Sequence, residues 1–85
     1  MTEIEAWACT AIQCIDSSFA SLANNQKLTE NLFTSGRLDS MGLMNFLLDA
    51  EVKFNFTFTS LAFQDRRIQS IAGLAEVISE LKDSK

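Results

Sequence analysis

The sequence predicts an all-α fold, a small four-helix bundle in a single domain over residues 1–85, and three observations lead there. Apolar residues recur at i, i+3/i+4 spacing in separate segments near the start, middle and end of the chain. Polar pairs of N-cap type, Asp39-Ser40 and Thr59-Ser60, stand directly ahead of apolar runs. The one alternating stretch, Phe54, Phe56 and Phe58 in "FNFTFTS", has no second strand to pair with. At 85 residues the chain has no room for a catalytic cleft between two domains.

The first helix is expected over residues 3 to about 22, where Ile4, Ala8, Ala11, Ile12, Ile15, Phe19 and Leu22 form one stripe. "ANNQ" at 23–26 breaks it, because consecutive asparagines favour turns. Residues 26–39 lack a sustained period. Leu28, Leu32, Phe33 and Leu38 are spaced to pin a long loop to a core, with Gly36 giving freedom of φ before the next helix. The second helix starts at Asp39 or Ser40 and runs to about Lys53. "FNFTFTS" is then an extended connection with its phenylalanines turned inward. Thr59 or Ser60 caps a short third helix through "LAFQD", and a last helix runs from about Ser70 to Leu81 on Ile71, Leu74, Ala75, Ile78 and Leu81. Gly73 costs that helix about 1 kcal/mol in propensity.

Composition excludes several classes of function. Eleven acidic and seven basic residues give a net charge of −4, and no basic cluster exceeds Arg66-Arg67, which speaks against nucleic-acid binding. The chain has no histidine and no CxxC, which removes imidazole acid–base catalysis and most zinc sites, so no metal or catalytic residues are assigned. An EF-hand loop from Asp39 would need oxygen ligands where Met41 and Leu43 stand. Cys9 and Cys14 lie five apart on one expected helix, more than ~7 Å at about 1.5 Å per residue, too far for a disulfide. They fit a reducing, cytoplasmic setting. "MTEIEAW" is acidic where a signal peptide is basic, and no apolar run approaches the ~18 residues of a membrane span, so a soluble protein without membrane contact is expected.

The second helix carries more apolar residues than one buried face needs. Leu43, Phe46, Leu47, Ala50 and Phe54 make a core stripe, at roughly 100° per residue. Met41, Met44, Leu48 and Val52 form another, rotated by roughly a third of a turn or more. In so small a bundle the second stripe is expected to face partner proteins, for which adaptable methionines are suited. Ser40 opens this helix. Free N–H groups and the positive end of the helix dipole favour a phosphate on a hydroxyl placed there. No histidine exists to activate Ser40, and no lysine is near it in sequence, so chemistry at Ser40 must be catalysed by another enzyme.

"LFTSGRLDSMGLMNFLLDAEVKF" resembles the attachment region of acyl carrier proteins, whose signature Gly-x-x-Asp-Ser-Leu/Met opens the second helix. Gly36, Asp39, Ser40 and Met41 fill that pattern, and "IQSI" at 68–71 is similar to the family's Ile-x-Thr-Val entry to the last helix. The resemblance extends over nearly the whole chain and implies the family's bundle, with a long loop between helices one and two. It implies that Ser40 receives a 4′-phosphopantetheine arm from coenzyme A through a magnesium-dependent phosphopantetheinyl transferase. Asp39 would help that enzyme and its metal, and Met41, Met44, Leu48 and Val52 would dock partners. The partners implied are the transferase, an adenylating or acyl-loading enzyme, and downstream acceptor enzymes.

Gly42 and Asn45 stand where carriers of fatty acid synthesis bear acids two and five positions after the serine. "LDSMG" and "FQDRR" are closer to D-alanyl carriers and to discrete aminoacyl or peptidyl carriers. The expected function is thus a non-catalytic carrier of a specialised biosynthetic pathway. The alternatives are a carrier for fatty acid or polyketide synthesis and, in a different class, an unmodified helical interaction module.

Overall fold

A computed structural model describes residues 2–83; Met1, Ser84 and Lys85, the ends of the expected domain, lie outside the described residues. The described chain is all-helical. Five α-helices, α1 (Glu3–Ile15), α2 (Asn24–Thr29), α3 (Ser40–Phe54), α4 (Ser60–Gln64) and α5 (Ile71–Asp83), alternate with two 3₁₀ turns at Ser17–Ser21 and Arg66–Gln69.

α1 begins at a capping box. The Thr2 hydroxyl accepts the Glu5 N–H, and the Glu5 carboxylate accepts the Thr2 N–H at 2.8 Å. The helix expected to reach residue 22 stops at Ile15. Asp16 leaves helical geometry (φ −138°, ψ 100°), and its carboxylate takes both the N–H and the hydroxyl of Ser18. Short polar side chains that bond nearby backbone compete with the helix in this way. The apolar stripe carries on through the 3₁₀ turn, so Phe19 is still fully buried, while Ile15 is exposed.

The second departure is α2. The stretch expected as a turn and long loop folds in its first part into a two-turn helix with Ala23 as N-cap residue; the Gln26 side chain accepts the Ala23 N–H. Its one apolar anchor, Leu28, is half-buried against the core. The loop ahead of Ser40 therefore begins only at Glu30.

From α3 onward the elements lie close to the expected bounds. α3 ends in Asn55 at φ 55°, a left-handed C-cap that asparagine tolerates. The connection 55–59 contains no regular element and turns Phe58 into the core with Phe56 half-buried beside it; the Glu51 carboxylate accepts the Phe58 N–H at 2.7 Å. Thr59 caps α4, and the Ser70 hydroxyl accepts the Gly73 N–H at the start of α5.

One connected core joins all these elements. Ala8 and Ile12 of α1, Phe19, Leu32, Leu38, Phe46, Leu47 and Ala50 of α3, Ile68, and Ile71, Leu74, Val77 and Ile78 of α5 are buried in it. Trp7 stacks on Phe46 with ring centroids 5.5 Å apart and meets Phe54 edge-on, locking α1 to α3. No helix of the described residues is long and apolar enough to cross a membrane. Cys9 is buried and Cys14 exposed, and no disulfide joins them.

Candidate functional site at the start of helix α3

The site is built from the loop 30–39 and the first turn of α3. Leu32 and Leu38 are buried, and the Leu38 N–H donates to the Leu32 carbonyl at 3.0 Å, closing the loop on itself. The Asn31 carboxamide oxygen accepts the N–H groups of Phe33 and Thr34, which shapes the outgoing turn. Gly36 at φ 84° makes the reversal that a side chain would oppose. The loop is also fastened to the second 3₁₀ turn: the Leu32 N–H donates to the Gln69 carbonyl, and the Asn31 amide donates to the Gln69 side chain at 2.8 Å.

Asp39 is the N-cap of α3. Its carboxylate accepts the Gly42 N–H at 2.6 Å and its carbonyl accepts the Leu43 N–H. A Cβ at position 42 would stand 3.1 Å from that carboxylate oxygen and 3.6 Å from Leu38, a close contact with the end of a side chain. Ser40, the first residue of the helix, is exposed.

The two stripes of α3 separate cleanly. Phe46, Leu47, Ala50 and Phe54 are buried and Leu43 is half-buried, whereas Met41, Met44, Leu48 and Val52 are 73%, 45%, 45% and 85% exposed. The strip is continuous from Ser40 to the far end of the helix and, with Asn45 beside it, carries little charge.

The periodicity gave no sign of an apolar cleft of about 260 Å³ that opens beside Ser40. Leu43, Met44 and Leu47 of α3 form one wall, and Phe33, Phe63 and Ile68 the other, with Gln69 the amide among them. These residues come from two stretches of the chain, 33–47 and 63–69, so no local pattern announces the cleft. No acid or base lines it. A larger groove of about 450 Å³ runs between the start of α1 and α5 past Glu5, Glu76 and Glu80. Its carboxylates already have partners: Glu5 holds the α1 cap, and Glu76 and Glu80 bond Arg67. It lies away from Ser40 and shares none of the cleft's lining residues.

Behind the loop, Arg37 is gathered between Asp16, Ser18 and Glu30. The hydrogen bond to Glu30 holds its guanidinium above its ordinary pKa. Asp16 is held below the usual carboxylate value, first by the Ser18 hydroxyl and N–H and then by Arg37. Sequence reasoning passed over Arg37, because an isolated arginine in a loop gives no local signal of its partners.

Searches against protein-family models, curated proteins and solved structures give no match to the chain.

Proposed function

We propose that this chain is a discrete carrier domain that holds an acyl or aminoacyl cargo on a 4′-phosphopantetheine arm attached to Ser40. The observation that carries this reading is the position of one hydroxyl. Ser40 is exposed at the positive end of a fifteen-residue helix, beside an apolar cleft and at the head of an exposed apolar strip. The residue pattern Gly36-x-x-Asp39-Ser40-Met41 supports the same reading.

The surroundings suit such a group. A phosphodiester on the Ser40 oxygen would sit where the helix dipole favours negative charge. The cleft offers apolar walls to a chain attached there, with the Gln69 amide as a polar contact. When bound, the arm supplies a terminal thiol that holds cargo as a thioester. The residues of this chain do the rest: Asp39 fixes the helix start, and Met41, Met44, Leu48 and Val52 receive the visiting enzymes. With no base in the cleft to take the serine proton, the loading enzyme must provide one. On this reading Asp39, adjacent to Ser40, helps that enzyme and its metal ion, as the residue pattern implies. The low charge at Gly42 and Asn45 favours a specialised pathway over fatty acid synthesis.

Incubation with coenzyme A, magnesium and a promiscuous phosphopantetheinyl transferase, followed by intact mass measurement, tests the proposal. The expected result is a gain of one phosphopantetheine per chain, abolished in Ser40→Ala. No gain, or equal gain in Ser40→Ala, overturns it. An unmodified interaction module would instead bind its partner through the α3 strip equally well in both proteins.

A further inference from the structure

Between the reversal at Gly36 and the cap at Asp39 only two residues tie the loop to the body of the protein. Leu38 does so by burial in the core. Arg37 does so by charge, and its contacts reach three different elements. Its Nε donates to Glu30, the residue that ends α2. Its Nη1 donates to Asp16 at 2.9 Å and to the Ser18 hydroxyl at 3.0 Å, the cap and the start of the first 3₁₀ turn. The guanidinium carbon lies 5.2 Å from the centre of the buried Phe19 ring. With all this the Arg37 side chain is only 14% exposed.

An arginine so placed is unlike a surface ion pair. Its planar fork reaches two carboxylates at once, with the Phe19 ring close by. A lysine ammonium, a point charge on a flexible stem, lacks that fork. The contacts all point away from Ser40, towards the ends of α1 and α2, so the guanidinium takes no part in any chemistry at the hydroxyl. Its effect is on the backbone: it draws position 37 against the body, three residues before Ser40, where the chain must turn into α3.

We propose that Arg37 is the positioning residue that keeps the Gly36–Asp39 backbone, and with it the Ser40 hydroxyl, in the conformation presented to a modifying enzyme. The proposal rests on the carrier reading of Ser40. Without the clamp the loop samples other conformations, and the presented state becomes a fraction of the population. Apparent affinity for the loading enzyme falls by that fraction, while the step at saturation is unchanged.

The test compares the full chain with Arg37→Met and Arg37→Lys, each shown by circular dichroism to be folded at the assay temperature. Transferase kinetics are measured with coenzyme A and varied carrier concentration. Arg37→Met is expected to raise KM about tenfold with kcat within about twofold, as for a presented state reduced to about a tenth. Arg37→Lys is expected to recover part of that loss. Hydrogen exchange supplies the independent readout: the Leu38 and Gly42 amides should exchange faster in Arg37→Met, while amides in α5 keep their protection. A folded Arg37→Met that loads with unchanged KM overturns the proposal. Should the unmutated chain itself fail to load, the carrier reading falls, and exchange alone decides the clamp: unchanged Leu38 and Gly42 amides overturn it as well.

Discussion

A methyl group added at Gly73 would lie 2.2 Å from the Arg67 carbonyl oxygen and 2.8 Å from two further backbone atoms of that residue. The glycine that looks like a weak point of α5 is therefore what lets the helix approach the second 3₁₀ turn. Helix propensity alone says that Gly73→Ala gains about 1 kcal/mol. Overlap with backbone outweighs that gain, since a peptide group cannot rotate aside as a side-chain tip can. Overpacking of this kind costs about 1–3 kcal/mol. The expected outcome is a net loss of about 1 kcal/mol, read as a fall in melting temperature of about 6 °C for a domain this small. A rise in melting temperature would show that the turn yields freely and that the contact is incidental.

At the scale of elements, α3 matters most because it serves the core and the surface with different stripes. Its buried stripe meets Trp7 and belongs to the common core, and its other stripe is exposed to solvent. Met44→Glu tests whether that division holds. At 45% exposure the new carboxylate reaches water, so helical content should be kept and melting should shift by no more than about 0.5 kcal/mol equivalent, as for an ordinary surface change. Loading by partner enzymes should fall by about tenfold, the loss of one apolar contact worth about 1.4 kcal/mol. A loss of several kcal/mol in stability would instead mean that Met44 belongs to the core. This division was legible in the sequence because a fifteen-residue helix displays its period fully, and the helix start at Ser40 was legible because Asp39, a residue of N-cap type, precedes it. α2 was not, because a six-residue polar helix with Leu28 as its single anchor is stable only through the tertiary contacts around it. Phe19 misled in the opposite direction: it keeps helical spacing with α1, but it reaches the core from a 3₁₀ turn set by Asp16. The cleft was invisible because Phe33, Phe63, Ile68 and Gln69 meet α3 only in the folded molecule.

At the scale of the whole molecule, a chain of 85 residues has a small core, and its elements are also held by two arginine centres. Arg37 joins the ends of α1 and α2 to the loop, and Arg67 joins the second 3₁₀ turn to α5 through Asp65, Glu76 and Glu80. Acid should loosen both. Hydrogen bonds from the Arg67 side chain hold Asp65 and Glu80 below their ordinary values of 3.8 and 4.5, and Asp16 is lowered in the same direction by Ser18 and Arg37. A carboxylate whose folded pKa is depressed binds fewer protons than the unfolded chain does in the interval between the two values. Its contribution is therefore complete above the unfolded value and is lost as pH falls through the lower, folded one. Melting temperature should be level between about pH 7 and pH 5 on account of these groups, and should decline below about pH 4.5. Arg67→Met removes the side-chain hydrogen bonds to Asp65 and Glu80 together, while Asp65 keeps the N–H of residue 67. It should lower stability near neutrality modestly, because these groups are partly exposed to water, and it should flatten the acid decline. Equal acid slopes in the variant and the unmutated chain would place the origin of acid sensitivity elsewhere. The same profile in Arg37→Met would retain most of its slope, because the two carboxylates bound by Arg67 still titrate.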